Sequence, residues 1–193
     1  MKLIIASNNA HKVEEIKHIL GSHFDEILSL KEAGVDHETV EDGLTFMENA
    51  LKKAREIAAL TGEVALADDS GLCVDALGGA PGIYSARYAG EDDPTRRDRA
   101  NCDLLLANLD GKGDRSAHFT CAMALVYPDG REVLAEGYMN GRIIDQPRGD
   151  KGFGYDPLFM AEGESRTVAE MSEGKKNAIS HRANALKNLL TKI

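Results

Sequence analysis

Residues 45–60, TFMENALKKAREIAAL, place Met47, Ala50, Leu51, Ala54, Ile57 and Ala58 on one helical face, and the chain then passes almost at once into EVALA (63–67), an apolar run that reads as a strand. Thr45 followed by Glu48 predicts a capping box at the start of that helix. A helical period giving way so abruptly to a buried strand restricts the fold to a sheet with helices packed on it. The same alternation opens the chain. KLIIA (2–6) reads as a buried strand, and after the polar SNNAHK the residues Val13, Ile16, Ile19 and Leu20 line a helix closed by Gly21. Asp93 and Pro94 are placed to cap and start a helix across DDPTRRDRANCDLLLANL. SAHFTCAMALVY and REVLAEGYM flank PDG, a hairpin signal that makes the sheet mixed. Ser180 is the expected N-cap of a last helix with Leu186, Leu189, Leu190 and Ile193 on one face. The expectation is a single α/β domain over 1–193, a mixed sheet flanked by helices and arranged in two lobes.

Charge and cysteine usage narrow the function classes. A formal net charge of −9 argues against broad nucleic-acid binding, although a few local cations and a metal can still bind a small anion. The three cysteines (Cys73, Cys102, Cys121) form no CxxC pair, which points to a reduced, cytoplasmic setting, and no Cys/His spacing suggests zinc. The opening MKLIIASNN is too briefly apolar for a signal peptide, and no apolar stretch is long enough to span a membrane.

The polar segments at element ends carry the chemistry. SNNAHK (7–12) lies between strand and helix, where free amides, the helix dipole and Lys12 make a natural phosphate site; plain capping is the alternative. In ADDSG, Asp68 and Asp69 stand back to back after an apolar run, and such acids suit a divalent cation or an attacking water. If the strand persists they point to opposite faces, and the spacing leaves open which one faces a ligand; turn capping is the competing reading. LGGAPG (77–82) matches neither the Walker nor the dinucleotide glycine pattern and reads as a tight structural loop. GFGYDP (152–157) sets Phe153 and Tyr155 among glycines, either for stacking on a base or as a core plug. EGKKNAISHR (173–182) gathers Lys175 or Lys176, His181 and Arg182 just before and inside the first turn of the last helix, where the dipole disfavours cations, so an anion or oxo group is expected nearby.

SNNAHKVEEI, EDGLTFMENALKKA, ADDSGLCVDALGGAPGIYSARYAG, GFGYDPLF and SHRANAL, in this order and over nearly the whole chain, resemble the inosine/xanthosine triphosphate pyrophosphatase family. The resemblance implies an elongated α/β fold with two lobes around a central substrate cleft, usually a homodimer. It implies Mg²⁺-dependent hydrolysis of ITP, dITP and XTP to the nucleoside monophosphate and pyrophosphate, cleansing the nucleotide pool. The implied partners are a purine nucleoside triphosphate and a second subunit, with neither nucleic acid nor membrane. Ser7, Asn8, Asn9, Ala10, His11 and Lys12 would hold the phosphates. Asp69 would be proton acceptor and Mg²⁺ ligand, with Glu41 as a second metal-side carboxylate and Glu38 competing for that place. Ser70 would touch the substrate, and Phe153, Gly154, Tyr155 and Asp156 would form part of the nucleoside pocket with Lys176 nearby. His181 and Arg182 would read the oxidised purine. Asp68 is left to cap the turn on the opposite side. A Maf-type nucleotide pyrophosphatase is disfavoured because its first loop carries Ser-Pro-Arg-Arg where this chain has SNNAHK. A non-catalytic nucleotide-binding module would be expected to lack the carboxylates or the cations.

Overall fold

The computed structural model describes residues 1–193. Its strands are β1 (Lys2–Ile5), β2 (Glu26–Ser29), β3 (Val64–Val74), β4 (Ser116–Val126), β5 (Glu132–Ile143) and β6 (Phe159–Ala161), in one sheet of order β2-β1-β3-β4-β5-β6. The helices are α1 (Ala10–Leu20), α2 (Phe46–Thr61), α3 (Pro94–Leu109), α4 (Glu173–Ile179) and α5 (His181–Leu190). β1 runs parallel to both β2 and β3, pairing Ile4 with Leu28 and Ala65, whereas β5 and β6 are antiparallel. β4 and β5 are neighbours joined by a tight turn in which Tyr127 N–H donates to Arg131 O at 2.9 Å; so short a link permits only an antiparallel pair. The sheet is therefore mixed and carries helices, as the alternating periods require.

The chain divides into two compact units, one of Met1–Asp69, Cys121–Gly137 and His181–Ile193, the other of Ser70–Thr120 and Tyr138–Ser180. In the first unit the two-residue period of the strands sorts side chains between two cores. Leu3, Ile5, Val64 and Leu66 pack with Val13, Ile16 and Leu20 of α1 and with Leu186 and Leu189 of α5. Ile4, Ala6, Ala65 and Ala67 pack instead with Ala50, Ala54, Ile57 and Ala58 of α2. The second unit has its own core, in which Leu72, Val74, Leu105, Leu109, Met139, Ile143 and Leu158 surround Phe119 and Phe159, whose ring centroids lie 4.6 Å apart.

Local signals place most element ends. Asn9 caps α1, Thr45 caps α2 through Glu48 N–H at 3.1 Å, and Asp93 caps α3 through Thr95 N–H at 2.9 Å, with Pro94 in the first turn. The capping box at α2 is not reciprocal: the Glu48 carboxylate accepts from Leu44 N–H, one residue before the cap. Two further expectations are corrected. The strand after α2 does not stop at Ala67 but runs through ADDSG to Val74, because the residues beyond the acids are again apolar and buried. Ser180 is the joint between two helices rather than only an N-cap; EGKKNAI forms α4, and Ser180 N–H closes it on Lys176 O at 2.8 Å. The glycine-rich run links two short 3-10 turns, Asp75–Leu77 and Gly82–Arg87, in keeping with a structural loop.

One close approach in the first unit tolerates only glycine. A Cβ at Gly137 of β5 would lie 2.1 Å from Ala185 N and 2.3 Å from His181 O, both backbone atoms of α5. Gly137→Ala must therefore push α5 away from the strand, and a loss of about 1–3 kcal/mol or more in urea-unfolding stability is expected.

Candidate active site

Because β3 persists through Asp68 and Asp69, the alternation that sorts the core also sorts the two acids. Asp68 follows Val64 and Leu66 toward α1 and α5; Asp69 follows Ala65 and Ala67 toward α2. Each face then presents different partners.

On the first face Asp68 is 2% exposed and its Oδ2 is shared. The Lys12 ammonium lies 3.1 Å from it, and Arg182 donates to it from Nε at 3.3 Å and Nη2 at 3.2 Å. Arg182, 1% exposed, turns its Nη1 onto Glu15 of α1, another buried acid. Lys12, Asp68, Arg182 and Glu15 thus alternate in sign, which is what ionised groups need away from water. Burial opposes the charge on Asp68, but Lys12 and Arg182 outweigh it and hold the carboxyl well below its usual range. Burial likewise opposes the charge on Arg182, and Asp68 and Glu15 raise its pKa in spite of it. Lys12 is only partly covered, so its ammonium is fixed from behind while the N-terminus of α1 stays accessible. There Ala10 and His11 are exposed, Asn9 Oδ1 accepts from Lys12 N–H at 3.3 Å, and Ser7 Oγ accepts from Asn9 N–H at 3.1 Å. Asn8 reaches the segment after β2, its Oδ1 accepting from Lys31 N–H at 3.2 Å.

On the second face Asp69 Oδ2 accepts from Asn49 Nδ2 at 3.0 Å, and its Oδ1 lies 3.8 Å from the Lys53 ammonium. Lys53 also pairs with Glu41 at 2.7 Å and donates to the Asp68 carbonyl oxygen at 2.7 Å. Burial raises the Asp69 pKa, the Glu41 charge adds to that, and Lys53 only partly offsets it. Lys53 is itself held protonated: burial works against its charge, but Asp69, Asp68 and Glu41 together prevail. Two adjacent aspartates are therefore driven apart, one firmly ionised and one made more basic, the signature of different chemical roles.

The second unit holds the other expected residues. Ser70 lies on β3, partly covered. Asp156 is buried and its Oδ2 accepts from Phe153 N–H at 3.1 Å and from the Lys176 ammonium at 3.0 Å, which also stands 4.8 Å from the Phe153 ring centroid. Gly152, at φ +73°, makes room for this, since a Cβ there would lie 2.2 Å from Asp156 Oδ2. Gly154 N–H donates to Asp98 Oδ2 at 2.8 Å. Tyr155 is built into the core, with its hydroxyl donating to Ser85 O at 2.7 Å, so of the two aromatics only Phe153 keeps a partly open ring.

Several sequence expectations change on this geometry. Asp68 caps no turn; it lies within a strand and neutralises two cations. Lys175 and Lys176 belong to α4, Lys176 in its last turn where the dipole favours a cation, so they are not misplaced charges at the start of α5. His181 and Arg182 do begin α5, both buried, and the Arg182 donors are turned onto Asp68 and Glu15. Glu15, Asn49 and Lys53 were missed. Their signal was a polar residue beside an apolar stripe: Glu15 stands three residues after Lys12 in α1, and Asn49 and Lys53 are four apart in α2. The cysteines supply no nucleophile. Burial raises the thiol of Cys73, pushes that of Cys102 up to about 12 and raises that of buried Cys121 further.

Comparison with known proteins bears on the whole chain. A model of the Ham1 family matches residues 3–192. The chain is 49% identical over 190 residues to the dITP/XTP pyrophosphatase of Bacillus licheniformis, covering 97% of this chain and 95% of that protein. It is 46% identical over 188 residues to the dITP/XTP pyrophosphatase of Bacillus subtilis, covering 96% and 93%. The solved Ham1 protein of Staphylococcus aureus superposes with a TM-score of 0.88 at 40% identity, covering 100% of this chain and 97% of that one. The HAM1 protein of Coxiella burnetii gives 0.89 at 39% identity with both chains fully covered.

Removing one member of the buried charge set strands the others. Arg182→Met leaves Asp68 and Glu15 without their shared cation, and a loss of about 3–5 kcal/mol is expected in urea unfolding. The thiol at Cys102 should stay silent until strongly alkaline pH. With a pKa of about 12 its thiolate is about one part in 10⁴ at pH 8, so iodoacetamide labelling followed by mass spectrometry should leave Cys102 unmodified in the folded chain and modify it after denaturation.

Proposed function

The chain belongs to the Ham1 family, and on that premise we propose that it hydrolyses non-standard purine nucleoside triphosphates, ITP, dITP and XTP, to the nucleoside monophosphate and pyrophosphate. The observation that carries the reading is the split of the double aspartate: Asp68 backs the Lys12 ammonium at the α1 N-terminus, while Asp69, one residue on, is a buried carboxylate whose pKa is raised by burial and by Glu41. A cation beside exposed helix N-terminal amides receives phosphate, and a carboxylate of raised pKa takes a proton from water.

The chemistry follows from those roles. Ser7 to Lys12 orient the triphosphate and offset its charge. Asp69, steadied by Asn49, aligns a water with the α-phosphorus and accepts its proton as the new P–O bond forms. The bond from the α-phosphorus to the bridging oxygen breaks, pyrophosphate leaves with that oxygen, and Asp69 returns the proton to solvent. No covalent intermediate is required, in keeping with three cysteines held as thiols. Ser70, Phe153, Gly154, Asp156, Lys176 and His181 are assigned to the substrate on the resemblance, Phe153 having the open ring and Tyr155 acting from the core behind it. Arg182 contributes by anchoring Asp68 and Glu15 as well as through any donor it turns to the base.

The donor set suits Mg²⁺. Glu41 and Asp69 both approach the one ammonium of Lys53, at 2.7 and 3.8 Å, so a cation already stands between two carboxylates. Mg²⁺ is usually held by one or two carboxylates plus substrate phosphates rather than by an all-protein cage, and no cluster of three or more acids, histidines or cysteines forms such a cage here. Glu41 and Asp69 would hold the ion, and it would supply neutralisation of the phosphate charge. Glu38 makes no comparable approach to Lys53, and Glu41 is the preferred ligand. A cytoplasmic setting is supported by three free cysteines, and homodimer assembly by the resemblance alone.

Pyrophosphate release with and without Mg²⁺ is the test. ITP, dITP and XTP should be turned over well ahead of ATP and GTP; equal rates on all five would refute the selectivity, and no release from any would favour a binding module. Asp69→Asn should lower kcat at least about 100-fold while the protein stays folded by circular dichroism; a near-normal rate would move the proton acceptor to another residue.

A further inference from the structure

Residues 35–43, which carry Glu41, adopt neither helix nor strand, yet they are fastened to α2 almost residue by residue. His37 Nε2 donates to Glu56 Oε2 at 2.7 Å and Thr39 Oγ1 donates to the same oxygen at 2.6 Å. Glu41 pairs with Lys53 and Asp42 with Lys52, each at 2.7 Å. Gly43 N–H donates to Asn49 Oδ1 at 2.8 Å and Leu44 N–H to Glu48 Oε2 at 2.7 Å. As the segment advances from 37 to 44, its partners step back along α2 through 56, 53, 52, 49 and 48, a ridge of two rows at three- or four-residue spacing, 56/53/49 and 56/52/48. This polar ridge lies beside the apolar stripe that packs α2 on the sheet, so the helix is read on two sides. Asn49 belongs to both tasks, accepting from Gly43 and donating to Asp69.

We propose that Glu56 is a positioning residue, the far anchor that sets the register of segment 35–43 on α2 and so places the Glu41 carboxylate on Lys53 beside Asp69. Nearer the helix start, Glu48 and Asn49 fix the other end; before Glu41, Val35 is held at Leu30 O and against the core under α2, and the Glu56 oxygen, accepting two hydrogen bonds, is what ties the intervening residues to α2. Without it residues 36–40 span from Val35 to Glu41 with no hydrogen bond to α2, and the register of Glu41 on the helix is set from its C-terminal side alone. The consequence for metal binding rests on the reading of Glu41 as a metal-side carboxylate; the anchoring itself does not.

The test uses Glu56→Ala and Glu56→Gln in the full chain, the glutamine keeping an acceptor for one of the two donors. A protease that cuts after glutamate reports on the segment directly, through cleavage after Glu38 and Glu41 in chain free of metal and substrate, followed by mass spectrometry. Cutting at these two bonds should be about 2- to 12-fold faster for each hydrogen bond lost, with glutamine between wild type and alanine. Cutting after Glu132 and Glu136 should be unchanged. Uniform acceleration at every glutamate, or none at 38 and 41, would overturn the anchor. In pyrophosphate release the half-saturating Mg²⁺ should rise by a similar factor while kcat at saturating Mg²⁺ stays within about twofold. An unchanged Mg²⁺ requirement despite faster cutting would overturn the functional half of the proposal. A wild-type chain indifferent to Mg²⁺ would instead refute Glu41 as a ligand, with the protease result still deciding the anchor.

Discussion

A single carboxylate oxygen, Asp68 Oδ2, accepts from two cations contributed by different helices, Lys12 of α1 and Arg182 of α5. Ionised groups in a dry interior are tolerated only when each is matched, and here the match links a strand to the two helices covering one of its faces. Glu15 extends the chain of alternating charge, so that α1 contributes one cation and one anion to it. The result is a fixed ammonium at the start of α1, next to backbone amides with no helical acceptor of their own. The charge network is thus both a fastening between strand and helices and the backing of the ammonium proposed to receive phosphate.

The next residue along the strand meets the opposite environment. Asp69 faces α2, where Asn49 steadies it, the Lys53 ammonium stands farther from it than from Glu41, and burial dominates its titration. Adjacent residues with the same side chain therefore acquire different protonation behaviour because a strand turns successive side chains to different helices. Lys53 ties the two sides together, bonding the Asp68 carbonyl oxygen while pairing with Glu41. In this arrangement the acid that holds charge and the acid proposed to accept a proton need not compete for one position.

The elements were largely legible before any coordinates. Apolar stripes in α1 and α2, the Asn9, Thr45 and Asp93 caps and the PDG turn all act within a few residues, so short windows of sequence contain their causes. What local patterns could not contain were partners far apart in the chain. Glu15 and Arg182 are separated by 167 positions, and Asn49 and Asp69 by 20. The same limit explains the misjudged end of β3. An acidic pair reads locally as a turn, and only cations from distant helices make it acceptable within a buried strand. Tyr155 and Phe153 illustrate it again, since neighbouring aromatics in one glycine-rich loop took unlike roles once Ser85 offered a buried acceptor to one of them.

The sequence by itself determined that this chain folds as a mixed sheet with helices and where α1, α2 and α3 begin, because propensity, capping and period are properties of adjacent residues. Motif order over nearly the whole chain determined the family as well. Only the tertiary structure decided which aspartate is ionised and buried among cations and which has its pKa raised, that Arg182 is spent on Asp68 and Glu15, and that α2 carries a polar ridge holding Glu41 in place. Those outcomes depend on desolvation and on Coulomb interactions between groups brought together by packing, and both fall off over ångströms in space rather than over positions in sequence.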